Sequence, residues 1–500
     1  MIGFIKKVAA KIWAKNHVKQ TEYYKNNAEQ LQEKLLLDMV KSAEKTLFGL
    51  QHNFSEIKSI EDFQKNVKIS DYEDLKPFIE KVKHGDKNIL WKETPEYFAK
   101  TSGTTSGTKY IPLTSEGMDY QVKAAQSALF HYIAQKNNAD FVNGKMIFLQ
   151  GSPELEDING IKTGRLSGIV AHHIPKYLQK NRLPSYETNC IEDWETKVDK
   201  IVEETEKENM TLISGIPPWL IMYFEKLIER NGKKIKQLFP NLQLIVTGGV
   251  NYEPYREKME ELLGGKVDII QTFPASEGFF AFQDDYEKEG LLLQSNHGIF
   301  YEFIPLELYG KPDAPRLTLK EVELNKDYAL ILTTNSGLWA YSIGDVVRFI
   351  SKNPHRILVS GRTKHFTSAF GEHVIAFEVE EAMKATVEKF PAQITEFHLA
   401  PQVNPENGEL PYHEWFIEFE KEPENLENFR QNLDLEMRKR NTYYDDLISG
   451  NILQVLKITK LQKNAFQEYA KSEGKLGGQN KIPRLANDRK IGEFLGKFKI

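Results

Sequence analysis

Cysteine is almost absent from this chain: among 500 residues only Cys190 carries a thiol. That excludes an internal disulfide, a cysteine-rich zinc ribbon and an Fe–S centre, and it fits a reducing compartment, the cytoplasm. Long hydrophobic runs are lacking too. The opening stretch MIGFIKKVAAKIWAKNHVKQ is broken by lysines every few residues, so it has neither the apolar core of a secretory signal nor a membrane span. Charge of one sign is missing as well: 66 basic against 71 acidic residues leave −5, which directs the chain neither to nucleic acid nor to a strongly acidic partner. Repeats and low-complexity linkers are not found. What remains is the composition of an ordinary folded protein, 40% apolar and 27% charged. At roughly 100–200 residues per domain it has length for two or three domains and a sizeable pocket.

Near the amino end Ile5, Val8, Ala9 and Ile12 fall at helical spacing with Lys7, Lys11 and Lys15 on the other side. This predicts a helix docked on the protein's own core in preference to a membrane-surface helix. Further on, apolar runs at 145–150, 210–214 and 242–247 alternate with helical stretches at 218–230 and 254–263, the pattern of an α/β fold with parallel strands. From 291 to 360 short strands, including 329–334 and 346–350, are separated by Gly and Asn turns and suggest a smaller antiparallel or barrel-like part. After Gly361 the order is helix at 377–390, strands at 396–400 and 415–420, helix at 426–440 and strand at 453–459, which reads as a ferredoxin-like α+β lobe. The expected organisation is a large α/β domain over 1–362, with a barrel-like part, and a small C-terminal lobe over 363–500.

Chemistry concentrates in four places. The first is TSGTTSGTK at 101–109, where six hydroxyls and two glycines precede Lys109. Glycines let main-chain N–H groups crowd an anion, hydroxyls add hydrogen bonds and the lysine brings charge, so the loop suits phosphates. It is not a Walker A loop, because Gly103 and Gly107 are four apart and Tyr110 follows the lysine. Taken alone, the cluster fits a flexible polar turn equally well.

The second is a βαβ-like stretch: a strand at 242–247 runs into Gly248-Gly249 and a helix, then a strand at 267–273 ends in Phe273-Pro274-Ala275-Ser276-Glu277-Gly278. Ligands of open α/β sheets sit outside the carboxyl ends of the strands. There Gly248 and Gly249 would allow close main-chain approach, Phe273 would offer a ring to a base and Glu277 a carboxylate to Mg²⁺. Core packing for Phe273 and a helix-start carboxylate for Glu277 are the plainer alternatives. The third is Tyr341-Ser342-Ile343-Gly344-Asp345 entering VVRF, followed by Gly361-Arg362-Thr363-Lys364. Asp345 could accept both hydroxyls of a ribose and Arg362 grip ribose or phosphate oxygens, or the two could simply tie strands together. The fourth is GKLGGQNKIPR at 474–484, in a tail where residues 457–500 carry 11 basic against 4 acidic side chains. It suits a loop delivering charge to an active site, although taken alone a solvated basic tail is the plainer reading.

The order and spacing of these four resemble the acyl-adenylate-forming superfamily of acyl-CoA synthetases, peptide-synthetase adenylation domains and luciferase. TSGTT…K resembles its phosphate loop. Tyr341, Gly344, Asp345 and Arg348 match its Y-x-x-G-D-x-x-R, and GRTKHFTSAFGEHVIAFEVEEAM at 361–383 is similar to its G-R-x-K…G-E…E-x-E segment. Within the superfamily the likeness is greatest to the auxin-responsive promoter family of acyl acid amido synthetases, as a bacterial-type member. It rests on the YSIGD core, the Ser276-Glu277 pair and QNKIPR at 479–484.

The resemblance implies that ATP, with Mg²⁺ on Glu277, places its phosphates on Ser102, Gly103, Thr104, Thr105 and Lys109. Adenine would lie near Gly248, Gly249 and Phe273, and ribose on Asp345 and Arg362, with Ser276 also among the nucleotide-binding residues. A carboxylic acid would attack the α-phosphorus to give an acyl-AMP, with Lys481 stabilising charge at the phosphate, and an amino acid would then displace AMP. Residues 365–500 would rotate about a hinge at 361–364 between the half-reactions. Two other readings are an acid–CoA ligase, whose acceptor is a thiol, and a nucleotide-binding regulatory protein without turnover. His172-His173 would point opposite ways if extended, which disfavours a metal site, although one of them could line the acyl pocket.

Overall fold

The computed structural model describes the chain except residues 1, 103–107, 175–178, 192, 250–251, 364–365, 368–369, 371–373, 404, 406–408, 450–452, 475–481 and 487. It divides into two compact units. The first comprises Met1–Gly249, Leu263–Ile343 and Val347–Leu358; the second comprises Val250–Leu262, Gly344–Val346 and Val359–Ile500.

The first unit is organised by an eleven-stranded sheet in the order Ile299–Pro305, Asp327–Thr334, Tyr341–Lys352, His355–Arg362, Leu291–Leu293, Gly278–Phe282, Asp268–Ala275, Leu244–Gly248, Met210–Ser214, Lys145–Phe148 and Arg182–Leu183. The last five strands pair in parallel, as the alternating grain of the sequence predicts. Their apolar character follows from cover on both faces: Leu212, Ile213, Leu244 and Ile245 are all buried. Helix Pro217–Asn231 supplies Leu220, Tyr223, Phe224 and Leu227 to the core. It begins with proline in its first turn and is stopped by Gly232 in the left-handed region at φ 66°. The antiparallel strands expected as a barrel-like part are the other half of this same sheet, joined to the parallel half through the pairing of Gly278–Phe282 with Asp268–Ala275.

The amino-terminal helix, Ile2–Asn26, docks on helix Ser115–Lys136, but by a different face from the one the large apolar residues suggest. Ala14 is fully buried beside Ala124 and Ala128, and His17 Nε2 lies 2.7 Å from Ser127 Oγ. Small side chains on both helices allow close approach, whereas Ile5, Val8 and Ile12 face water. A second, four-stranded sheet holds the hairpin Tyr97–Ser102 and Thr108–Leu113, with Ile161–Gly164 and Glu156–Ile158 beside it.

The second unit contains a three-stranded sheet, Gln393–Gln402, Tyr412–Lys421 and Lys457–Leu461, antiparallel in its first pair and parallel in its second. Alternation along the middle strand feeds two cores. Trp415, Ile417 and Phe419 pack with Phe429, Leu433 and Met437 of helix Leu426–Arg440, while Phe416 packs with Leu461, Phe466 and Leu495 on the other face. Together with helix Ala376–Lys389 this is the α+β order read from the sequence; the third strand lies at 457–461, slightly beyond its expected span. Among the described residues no helix is long and apolar enough to cross a membrane.

Candidate functional site

In the first unit, strands Leu244–Gly248 and Asp268–Ala275 run parallel, with Gly248 paired to Thr272, so their carboxyl ends open on one edge of the sheet. Gly248 is required by close packing: a Cβ there would lie 2.4 Å from Thr272 Oγ1 and 2.6 Å from the Thr272 carbonyl oxygen. Gly249 leaves the strand at φ 80°, a left-handed conformation that turns the chain sharply. Phe273, expected beside a base, is only 7% exposed and packs edge-on against Phe280 at 5.0 Å between ring centroids. In this conformation its ring is a core contact and not an open platform.

Ser276 and Glu277 form the two-residue turn of a hairpin between Asp268–Ala275 and Gly278–Phe282, with Ala275 opposite Gly278. The alternative of a helix-start carboxylate for Glu277 is therefore replaced by a hairpin tip. Around that tip is a small polar pocket, room for about one water molecule, lined by Tyr120, Gln121, Glu277, His297, Asn335 and Ser336. His297 Nδ1 and Asn335 Nδ2 find no hydrogen-bond partner among the described residues. Burial holds the His297 imidazole down to about 4, so it is neutral at ordinary pH. The pocket wall is fixed by Thr114, which caps helix Ser115–Lys136 by accepting from the Gly117 N–H at 3.0 Å and lies 3.2 Å from Ser336 Oγ. Sequence reasoning missed His297, Asn335 and Ser336, which carry no local motif and meet Glu277 only through the fold.

The hydroxyl-rich motif spans a hairpin: Thr101 pairs with Lys109 and Ser102 with Thr108. Gly103, Thr104 and Thr105 lie outside the described residues, as does the Ser102 side chain. Lys109 projects over the Tyr72 ring, its Nζ 5.5 Å from the centroid, while the Tyr72 hydroxyl accepts from the Tyr110 N–H at 2.9 Å. His172 and His173 end a short helix, with His172 Nε2 2.8 Å from the Pro153 carbonyl oxygen and His173 Nε2 3.0 Å from the Tyr97 hydroxyl. Another group the sequence did not reveal is buried Lys197, donating to the carbonyls of Gln150 and Asn189. Burial pulls its ammonium down to about 8.

In the second unit Asp345 and Arg362 meet: Arg362 Nε lies 2.9 Å from Asp345 Oδ1, with the guanidinium half exposed. Gly344 at φ 87° bends the chain into Asp345, and the Thr363 N–H donates to the Gly344 carbonyl at 2.7 Å. The buried Thr363 hydroxyl beside them has no partner among the described residues. This leaves a carboxylate, a guanidinium and an unengaged hydroxyl together at adjacent strand ends. Arg348, by contrast, is a structural residue of the first unit, bonded through Nε and a terminal nitrogen to the two oxygens of Asp327.

Lys481, with Gln479 and Asn480, lies outside the described residues. The end of its motif is anchored. Arg484 is buried between Glu380, at 3.3 Å, and Glu396; it also donates to the Tyr255 hydroxyl at 2.7 Å and covers the Phe397 ring. The Leu399 N–H donates to the Arg484 carbonyl, and His398 Nδ1 is 2.7 Å from the Pro483 carbonyl oxygen, so this segment lies along strand Gln393–Gln402.

Solved structures show the fold. The chain superposes on an acyl acid amido synthetase in complex with 2,4-DB with a TM-score of 0.79 at 18% identity, covering 97% of this chain and 96% of that one. It superposes on a 2-hydroxyisobutyryl-CoA ligase in the postadenylation state with a TM-score of 0.63 at 13% identity, covering 94% and 91%. The fold is therefore that of the adenylate-forming enzymes. The GH3 family N-terminal domain matches residues 17–185, the GH3 family central domain 292–362 and the GH3 family C-terminal domain 377–490. The chain belongs to the GH3 family, a family of acyl-adenylate-forming ligases. It is 23% identical to a jasmonoyl–L-amino acid synthetase of Nicotiana attenuata over 66% of this chain and 68% of that one. It is 22% identical to an indole-3-acetic acid-amido synthetase of Arabidopsis thaliana over 90% and 87%.

Proposed function

We propose that this enzyme activates a carboxylic acid as its acyl-AMP and passes the acyl group to an amino acid, forming an amide. The observation that carries the reading is the Asp345–Arg362 pair with the unpartnered Thr363 hydroxyl, standing in the sequence context of the family's three domains. A carboxylate at this position accepts from two vicinal hydroxyls, and a guanidinium donates to ribose or phosphate oxygens. The ligand set therefore suits a nucleotide. The carboxyl edge at Gly248 and Gly249 suits a flat base approached through main chain, and Ser276 is assigned to the same nucleotide, while Phe273 is left to core packing.

In the first half-reaction a carboxylate oxygen attacks the α-phosphorus, the bond to the β-phosphate oxygen breaks and pyrophosphate leaves. Ser102, Gly103, Thr104, Thr105 and Lys109 are assigned to the departing phosphates, and Lys481 to the charge that grows at the α-phosphate. In the second, a neutral amine attacks the acyl carbon, the acyl–phosphate bond breaks, AMP leaves and the amine's proton is released. Magnesium neutralises phosphate charge when bound. Glu277 is the carboxylate assigned to it, since Mg²⁺ is held by one or two carboxylates, keeps several waters and takes further oxygens from substrate phosphates.

Residues 363–500 are assigned the role of a mobile lobe that carries Lys481, and a cytoplasmic setting accords with the lone Cys190. A second reading, transfer to CoA, is kept because a CoA ligase shares the fold. The test of activation is pyrophosphate release from ATP across a panel of carboxylic acids. Acid-dependent release that falls at least a hundredfold in Lys481→Ala supports the assignment. Release independent of any acid would overturn it.

A further inference from the structure

The amino-terminal helix, Ile2–Asn26, presents to water a face that its docking on helix Ser115–Lys136 leaves unused. Phe4 is 72% exposed, Ile5 58%, Val8 40%, Ile12 55% and Trp13 58%. Phe4, Val8, Ile12, Lys15, Lys19 and Tyr23 follow one another at spacings of three or four, so they form one continuous stripe, and Lys15 falls on it and not on the other side as its alternation with the apolar residues suggests. That stripe is apolar in its first half and cationic in its second. The docked face, through Ala10, Ala14 and Thr21, lies on the opposite side.

Charge tells what this face fits. Five lysines, Lys6, Lys7, Lys11, Lys15 and Lys19, precede the first acidic residue, Glu22. Lys7 is engaged by Asp140 at 2.5 Å, while Lys6, Lys11, Lys15 and Lys19 have no carboxylate partner among the described residues. Apolar side chains with an exposed tryptophan, edged by unanswered lysines, match a surface that is apolar beneath and negatively charged on top. A second copy of this chain meets that description poorly, because its own helix would bring the same lysines with no acid in its first five turns to oppose them.

We propose that helix Ile2–Asn26 docks the enzyme on the surface of a bilayer containing anionic lipids, lying in the interface with Phe4, Ile5, Val8, Ile12 and Trp13 inserted and Lys15 and Lys19 at the headgroups. The inserted residues contribute nothing to the protein's own core, so substitution there leaves the fold intact. The attachment is peripheral and reversible, and it weakens with salt.

Flotation of the full chain with vesicles of equal parts phosphatidylglycerol and phosphatidylcholine, and with pure phosphatidylcholine, tests this. The protein is expected to float with the mixed vesicles, to stay behind with the neutral ones and to be released at high salt. The pair Val8→Asn and Ile12→Asn should abolish flotation while leaving circular dichroism and pyrophosphate release unchanged. Lys15→Glu and Lys19→Glu should each weaken binding by roughly fivefold or more. Failure of the unmodified chain to bind the mixed vesicles would overturn the proposal, as would binding that Val8→Asn with Ile12→Asn leaves intact. Sedimentation showing a dimer that the same pair dissociates, without vesicle binding, would assign the face to a second copy instead.

Discussion

In the first unit the candidate residues are placed by main-chain geometry. Gly248 is pressed against Thr272 of the neighbouring strand, and Ser276 and Glu277 sit at the tip of a hairpin whose register is fixed by the sheet. In the second unit placement is by charge: Arg484 is held among two carboxylates and a phenol, and Asp345 faces Arg362. The first arrangement fails when a methyl group is added. The second fails when a charge is removed, and around buried Arg484 the partners left behind then carry an uncompensated burial cost, whereas half-exposed Arg362 does not.

The largest effect is expected where the second device is most buried. Arg484→Met would leave Glu380 and Glu396 without their cation, at a cost of about 3–5 kcal/mol, read as a lower urea midpoint for the small unit. Arg484→Lys should recover only part of it, because a point charge cannot serve two carboxylates and the Tyr255 hydroxyl together. A full-length protein equally stable with methionine would show that charge does not organise this unit.

The first unit has its own electrostatic weakness, away from the site. His131 is 4% exposed, and burial lowers its imidazole from 6.5 to about 4. Between those values the unfolded chain binds a proton that the folded chain does not. Stability is therefore unaffected above about pH 7 and falls as pH drops from 6.5 toward 4, by at most about 3 kcal/mol. Melting temperatures across this range should lose most of their slope in His131→Asn, and an unchanged slope would place the titration elsewhere.

Asp345→Ala separates binding from folding. It should weaken ATP by about 1.5–3 kcal/mol in calorimetry, through loss of charge-assisted bonds, while the melting temperature stays close to that of the unmodified chain. Unaltered affinity would reduce Asp345 to a strand partner of Arg362. Gly248→Ala brings the steric counterpart, about 1–3 kcal/mol of destabilisation from a Cβ driven into Thr272. A neutral result there would mean that the two strands separate easily and that the sheet edge is less rigid than its register implies.

Much of this architecture was legible in the sequence, because apolar runs and turn residues report directly on strands buried from both sides. The small lobe's helices at 376–389 and 426–440 fall almost where periodicity places them. The failures have physical causes. Helix Ile2–Asn26 docks through alanines, since close helix contact rewards small side chains, and so periodicity of large residues pointed to the wrong face. Phe273 packs into the core against Phe280, which a motif cannot show. His297 and Asn335 reach Glu277, and Tyr255, Glu380 and Glu396 reach Arg484, across separations that only the fold closes. The terminal arginine looked like part of a ligand-binding loop, and its actual partners give it the work of holding the segment that leads to Lys481.

Amide formation through an acyl-AMP is decided by product analysis. Purified enzyme is incubated with ATP, Mg²⁺, an acid that supports pyrophosphate release, the twenty amino acids and CoA, and the products are resolved by mass spectrometry. The expected products are an acyl–amino acid and AMP in equal amount, with CoA unconsumed. Acyl-CoA as the sole product, with no amide from any amino acid, would contradict it.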